Sequence, residues 1–266
     1  MTAAVTAAAP ARVSPVVAVR NTATLAWRTL VQIKHNPFEL LDFSVQPIMF
    51  LVLFTYVFGG AISGSTGDYL TFGLPGIIVQ NLLFATLNTG VGLNTDISKG
   101  VFDRLRSLPI SRWSPLSGRI VADVIKQAWA VTMLLVVGAI LGFRVGTGPV
   151  EVAAAFGLLL VFGFAASWMS VLVAMLVSAP EKVQIFGFVL LFPLTFASNA
   201  FAPTATMPGW LQAWVKVNPV TVLADAVRGL LSGGEAGTAV TQSLLWAAIL
   251  LAVFAPLSVW AFRRRV

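Results

Sequence analysis

The side chains that carry most enzymatic chemistry are scarce in this sequence of 266 residues. It contains no cysteine, which excludes disulfides, thiolate metal sites and cysteine nucleophiles. Its single histidine, His35, cannot supply the paired imidazoles of a zinc-hydrolase motif. We therefore predict no catalytic residue and no metal site in this chain, and we interpret His35 as a structural residue.

A glycine-rich stretch over residues 59–67 resembles a phosphate-binding loop only in composition. Such a loop needs a lysine directly after a glycine to contact the β- and γ-phosphates, and none follows here. We interpret the stretch as a flexible external turn. The chain is predicted to bind no cofactor, so any ATP and Mg²⁺ that the protein uses would be bound by a partner.

One pair of opposite charges lies within an apolar stretch. Asp123 and Lys126 are three residues apart, which places them on one face of a helix. The pair can be a structural ion pair near the cytoplasmic interface. It can also be a proton or substrate relay, because ionisable residues inside membranes are often functional.

The composition explains the shortage of polar groups. Hydrophobic residues make up 58% of the chain and charged residues 10%, against about 45–50% and about 25% in soluble domains, and the mean hydropathy is +0.89. We infer a polytopic membrane protein and exclude a soluble enzyme. The net charge of +7 is attributed to basic residues at cytoplasmic ends, so nucleic acid is not expected as a partner.

Six apolar stretches are each long enough to cross a hydrocarbon core about 30 Å thick. If the N-terminus is cytoplasmic, all of the 17 Lys and Arg residues except Arg144, Lys216 and Arg228 fall on the inner side, as the positive-inside rule requires. The predicted fold is all-α, with six transmembrane helices and both termini in the cytoplasm. The predicted spans cover residues 41–62, 69–93, 120–143, 150–177, 183–201 and 240–262.

Segments outside the spans divide the chain further. Residues 1–15 are predicted to be a disordered cytoplasmic tail, and residues 16–40 an amphipathic helix lying in the membrane interface. Residues 41–266 are predicted to form a single transmembrane domain. It contains a cytoplasmic loop at 94–119 and an external re-entrant helical hairpin at 202–234, before the last span.

The cytoplasmic loop contains a short amphipathic segment that ends at Pro109. Its apolar residues recur at helical spacing, and its charged residues face away from them. The apolar set is Val101, Phe102, Leu105 and Leu108, and the charged set is Asp103, Arg104 and Arg106. The segment is either a membrane-surface helix or a helix that docks onto a cytosolic partner.

Several short motifs match a known family in order and position. They are FDRLRSLPISRW at 102–113, LSGR at 116–119, LPGI at 74–77, FAP at 201–203, MPGWL at 207–211, NP at 218–219 and DAVR at 225–228. Together they resemble the ABC-2 type transport permeases, most closely the daunorubicin-resistance permease group, over nearly the whole chain.

The resemblance implies a membrane-spanning permease of an ATP-binding-cassette exporter in a bacterial cell membrane. It also implies two partners: a second permease copy, identical or related, and a separately encoded ATPase that holds ATP and Mg²⁺. The helix at 16–40 would be the family's connecting helix. The coupling helix that seats on the ATPase would comprise Lys99, Val101, Phe102, Asp103, Arg104, Leu105, Arg106, Leu108 and Pro109.

Polar residues within the spans are candidates for the path of a lipophilic substrate, such as a drug, a lipid or a glycolipid. They can instead be groups that hydrogen-bond between helices. The candidates are Gln46, Gln80, Asn81, Asn88 and Asn199, and the motif residues of the external hairpin are Met207, Pro208, Trp210, Asn218, Pro219 and Arg228. Two alternative functions stay open: an ion-coupled secondary transporter and a non-transporting membrane assembly protein.

Overall fold

The computed structural model describes residues 14–35, 38–101 and 114–265, and every regular element in these ranges is helical. The prediction of an all-α protein is thereby confirmed. The α-helices of the described ranges are α1 (Pro15–His35), α2 (Phe38–Leu53), α3 (Gly59–Ser63), α4 (Thr66–Ser98), α5 (Ser114–Ile140), α6 (Pro149–Leu176), α7 (Pro180–Phe196), α8 (Gly209–Val217), α9 (Pro219–Ser232) and α10 (Gly237–Arg265). A π-helical turn, Phe54–Phe58, joins α2 to α3, and a 3₁₀ turn, Thr204–Thr206, precedes α8.

Five helical segments are long and apolar enough to cross a membrane, which confirms a multi-pass membrane protein. They are Ser44–Ser63, Thr66–Ser98, Leu116–Ile140, Pro149–Leu176 and Gly237–Arg265. The helix found in place of the predicted span 183–201 is α7, which ends at Phe196, before the predicted end. Its 17 residues rise about 26 Å at 1.5 Å per residue.

Helix ends near the cytoplasmic loop differ from the prediction. Within the predicted helix at 16–40, α1 ends at His35 and α2 begins at Phe38, and residues 36 and 37 lie outside the described ranges. The predicted loop at 94–119 is shorter, because α4 continues to Ser98 and α5 begins at Ser114. The helix α4 stops where Gly100 adopts a φ of 66°, a left-handed conformation that glycine reaches without steric cost.

The central helix of the molecule is α4. It is buried on most of its surface, as expected for a helix that is apolar all round, and α5, α6, α7 and α9 pack against it. Two glycines allow this close packing. A Cβ at Gly76 would overlap the backbone of Ala200, and a Cβ at Gly90 would overlap the carbonyl oxygen of Ser170.

The first helix, α1, crosses the beginning of α5. Gly118 of α5 faces Thr22, Leu25 and Ala26 of α1, and a Cβ at Gly118 would lie 2.9 Å from the Cβ of Leu25. On the other side of α1, Trp27 is exposed. The two helices are therefore in backbone contact at the start of α5.

Candidate functional site

The predicted coupling helix falls mostly outside the described residues. Lys99 is exposed and Val101 is half-buried at the end of α4. The structure describes the two stems of the loop, which are the last turns of α4 and the first turns of α5. Outside the described ranges lie Phe102, Asp103, Arg104, Leu105, Arg106, Leu108 and Pro109.

Four charged residues connect the two stems. Arg119 of α5 donates from Nη1 to Asp96 Oδ2 of α4 at 3.3 Å and from Nε to Asp123 Oδ2 at 3.2 Å. Lys126 Nζ lies 3.6 Å from the second oxygen of Asp123. The ion pair of Asp123 with Lys126, predicted from their spacing, is confirmed. We call Asp96, Arg119, Asp123 and Lys126 the stem cluster.

The stem cluster is largely removed from water. Asp123 and Lys126 are only 3% and 4% exposed. The guanidinium of Arg119 lies over Gly92 of α4, where a Cβ would overlap it. Because an unpaired charge in such surroundings is strongly unfavourable, the charges of the cluster stabilise one another, and removing one leaves another uncompensated.

One face of α4 is only partly covered by other helices of the described chain. Asn81 and Phe84 are half-buried and Asn88 is exposed, and their spacing places all three on one side of the helix. The Nδ2 group of Asn81 has no hydrogen-bond partner among the described residues. Gln80, by contrast, is 7% exposed, which is typical of a group packed between helices.

Phenylalanine rings continue from this face in an unbroken series over α7 and down α2. Neighbouring ring centroids lie 4.3 to 5.8 Å apart, and most adjacent rings are stacked. In order, the rings are Phe84, Phe188, Phe192, Phe196, Phe201, Phe54 and Phe50. We call this series the phenylalanine arch.

Exposed amides flank both ends of the phenylalanine arch. Asn88 lies one helical turn from Phe84 on α4, and Gln46 lies one turn from Phe50 on α2, and both side chains are exposed. Rings of the arch on α7 are themselves exposed, with Phe188 at 48%. Two of the five polar candidates, Gln46 and Asn88, therefore lie at an exposed aromatic surface, and the Nδ2 group of Asn81 is buried and unpaired beside it.

The external segment is held against α7 by Asn218, which is fully buried. Its Nδ2 donates to the carbonyl oxygens of Leu194 and Ala197 at 2.8 Å each, and its Oδ1 accepts from the Val220 N–H at 2.8 Å. Pro219 occupies the first position of α9, where no backbone N–H is needed. Asn218 thus caps the end of α7 and the start of α9 at once.

Arg228 ties α9 to the outer part of α4. Its Nη1 donates to Asp225 Oδ1 at 2.5 Å, its Nε donates to the Phe72 carbonyl at 3.1 Å, and its guanidinium lies 4.1 Å from the Phe72 ring centroid. Burial lowers the pKa of Arg228, and the Asp225 carboxylate acts in the opposite direction. Asn199 Nδ2 donates to the same carboxylate oxygen of Asp225 at 2.8 Å. This candidate for the substrate path is therefore hydrogen-bonded to α9.

The other motif residues of the external hairpin are at the surface. Trp210 is 76% exposed, Pro208 is exposed and Met207 is half-buried. Together α8 and α9 form two short helices joined at Asn218. The hairpin residues therefore divide into an anchored set, Asn218, Pro219 and Arg228, and a surface set.

These features define a class of protein: a multi-pass helical membrane protein with a charged junction between two helices, a partly exposed polar and aromatic helix face, and an anchored pair of short helices before the last span. Residues 20–231 match the ABC-2 type transporter family. The chain belongs to this family.

Three similar proteins match this chain over most of its length. It is 42% identical to the daunorubicin resistance ABC transporter permease protein DrrB1 of Streptomyces coeruleorubidus, over 96% of this chain and 89% of that protein. It is 29% identical to the doxorubicin resistance ABC transporter permease protein DrrC of Mycobacterium tuberculosis, over 89% of this chain and 86% of that protein. It is 32% identical to the transport permease ycf38 of Cyanophora paradoxa, over 78% of this chain and 73% of that protein.

The protein is therefore the permease subunit of an ATP-binding-cassette exporter, as the sequence motifs led us to expect. The family implies a separate ATPase subunit as its partner. The alternatives of an ion-coupled secondary transporter and a non-transporting assembly protein are set aside, because the family and its named relatives are ABC transporter permeases.

Proposed function

We propose that two permease copies assemble so that their α4 faces and phenylalanine arches enclose the path of a lipophilic substrate. Asn88 carries this proposal. An amide exposed on a membrane-crossing helix costs several kcal/mol if it faces hydrocarbon. It therefore needs a protein neighbour, a substrate or water beside it, and Gln46 and Asn81 have the same requirement.

The chemistry of this surface fits a substrate that is mostly apolar with a few polar groups. Stacked rings such as Phe188 and Phe192 offer apolar and aromatic contact, and the flanking amides offer hydrogen bonds. The relatives named for resistance to daunorubicin and doxorubicin support a drug as substrate. A lipid or a glycolipid presents the same combination of groups.

Coupling to the ATPase is proposed to occur at loop 99–113. The apolar residues Phe102, Leu105 and Leu108 would seat in a cleft of the ATPase, and Asp103, Arg104 and Arg106 would pair at its rim. ATP-driven closure of the ATPase pair would then shift the permease dimer between inward- and outward-open states. ATP and Mg²⁺ would be held by the ATPase.

The proposed topology has six spans, with α7 as the fifth, in a bacterial cell membrane. Both termini would be cytoplasmic, and residues 16–40 would include the interfacial connecting helix. The support is the distribution of charge, since the C-terminal arginines 263–265 end α10 and basic residues accumulate on the inner side.

The substrate path is tested with Asn88→Leu in proteoliposomes that contain the permease and its ATPase. We expect transport to fall about tenfold, the effect of losing roughly 1.4 kcal/mol of interaction, while the ATPase still co-purifies. Thr132→Leu is the matched control, because Thr132 is an exposed polar residue of α5. Wild-type transport by Asn88→Leu would show that the path lies elsewhere.

The coupling site is tested separately with Leu105→Asp and Arg104→Glu. We expect both variants to insert normally and to lose transport, together with the stimulation of ATP hydrolysis by the permease. If they transport as the unaltered protein does, the assignment of the coupling helix is wrong.

A further inference from the structure

Any movement of the ATPase that acts on loop 99–113 enters the membrane domain through two stems. One stem is the end of α4 at Ser98, and the other is the start of α5 at Ser114. If these stems moved independently, a push on the loop would be absorbed by bending between them. The connection between the stems therefore decides how much of the push reaches the substrate path. This inference rests on the proposed role of the loop.

Among the described residues, Arg119 joins the stems by hydrogen bonds, beside an apolar cluster that contains Leu93 of α4 and Leu116 and Ile120 of α5. Arg119 reaches from α5 across α4, with its guanidinium over Gly92 and its Nη1 bound to Asp96 one helical turn further on. Its Nε is held at the same time by Asp123 of its own helix. The guanidinium is planar and holds its two carboxylates in fixed directions, so it restrains the distance between the stems.

The environment holds the Arg119 side chain firmly on its own helix. The side chain of Arg119 is 17% exposed and that of Asp123 is 4% exposed. Low exposure weakens solvent screening, so the charges attract each other more strongly than a surface pair would. Lys126 pairs with the second oxygen of Asp123. The Asp96 side chain, which is 36% exposed, is the more accessible end of the cluster.

Gly118, the residue before Arg119, connects α1 to the start of α5. Gly118 packs against Thr22, Leu25 and Ala26 with no room for a side chain. Residues 118 and 119 thus contact α1 on one side and α4 on the other. The three helices meet at two consecutive residues directly behind the loop.

We propose that Arg119 is a positioning residue that makes α1, α4 and α5 move as one body when the loop is displaced. It touches neither substrate nor ATP. Its function is to transmit the movement of the loop to α4, whose Asn81, Phe84 and Asn88 face the proposed path. The stem cluster is in this view a mechanical connection within the coupling pathway.

The test compares Arg119→Gln and Asp96→Asn with Arg144→Gln, in proteoliposomes with the ATPase partner. Arg144 is an exposed arginine just beyond the other end of α5. We expect substrate moved per ATP hydrolysed to fall about tenfold in both stem-cluster variants, while ATPase binding and ATP hydrolysis are kept. Asp96→Asn should also keep its melting temperature, because the Asp96 side chain is 36% exposed, whereas Arg119→Gln should melt lower because the buried Asp123 loses a partner. Asp96→Glu should retain most of that ratio. An unchanged ratio in both stem-cluster variants would overturn the proposal.

A second variant covers the case in which Arg119→Gln folds poorly. Asp96→Asn leaves Arg119 paired with Asp123 of its own helix and removes only the hydrogen bond that reaches α4. If Arg119→Gln does not fold, an unchanged transport ratio in folded Asp96→Asn alone would overturn the proposal.

The outcomes also separate this inference from the function on which it rests. If Arg104→Glu uncouples transport and the stem-cluster variants do not, only the role of Arg119 is refuted. If Arg104→Glu has no effect, the loop is not the coupling site and both proposals fail.

Discussion

Replacement of Asn218 by alanine tests whether one side chain holds the external hairpin on the membrane domain. The amide makes three hydrogen bonds, two to the last carbonyls of α7 and one to the first turn of α9. A helix N-cap contributes about 1 kcal/mol, and each buried hydrogen bond contributes about 1 kcal/mol. Asn218→Ala should therefore lower the free energy of unfolding by about 3 kcal/mol.

The measurement is denaturant unfolding in bicelles, analysed by linear extrapolation, with hydrogen exchange of α9 as the local readout. Asn218→Ser keeps the capping oxygen and should recover about 1 kcal/mol of the loss. Asn218→Asp keeps the same shape but places a carboxylate against two carbonyl oxygens, so it should be at least as destabilising as alanine. If aspartate is tolerated and alanine is not, donation by the amide is not what holds the hairpin.

Two further substitutions probe the packing of this region. Gly76→Ala places a methyl group on the backbone of Ala200 and should destabilise the protein by about 1–3 kcal/mol; Gly157→Ala, a glycine with open space in helix α6, is the control and should be neutral or stabilising in the same unfolding titration. Arg228→Lys keeps the charge but loses most of the contacts to Asp225 and Phe72, so it should lower the melting temperature, whereas Arg144→Lys should not. A melting temperature unchanged by Arg228→Lys would mean that charge alone, without the fork of the guanidinium, anchors α9.

Much of the fold could be predicted from the sequence, because a helix that crosses a bilayer needs a long run of apolar residues and such runs are visible in the sequence. The predicted span at 150–177 is found as Pro149–Leu176. The length of the span at 183–201 was overestimated, because Ala197, Ala200 and Phe201 extend the apolar pattern after the helix has ended at Phe196. Hydropathy does not detect this helix end, since its last carbonyl groups are bound by a side chain that is distant in the sequence, that of Asn218.

The site was only partly predictable for a related reason. Asp123 and Lys126 could be paired from their spacing because both lie on one helix, and Arg119, four residues before Asp123, carries the same signal. Asp96 lies on another helix, and no local pattern joins it to Arg119. Asn81 and Asn88 share a face that helical spacing predicts, but the ring contact of Phe54 with Phe201 depends on the whole arrangement of helices.

In the proposed six-span topology, the short length of α7 has a consequence for the membrane itself. A rise of about 26 Å is less than the roughly 30 Å hydrocarbon thickness of a bilayer, and lipids adapt to such a hydrophobic mismatch by local thinning. This helix carries the exposed rings of Phe188 and Phe192. Acyl chains beside it would be compressed and less well ordered, so a lipophilic molecule leaving this surface would meet the outer leaflet where the bilayer resists insertion least.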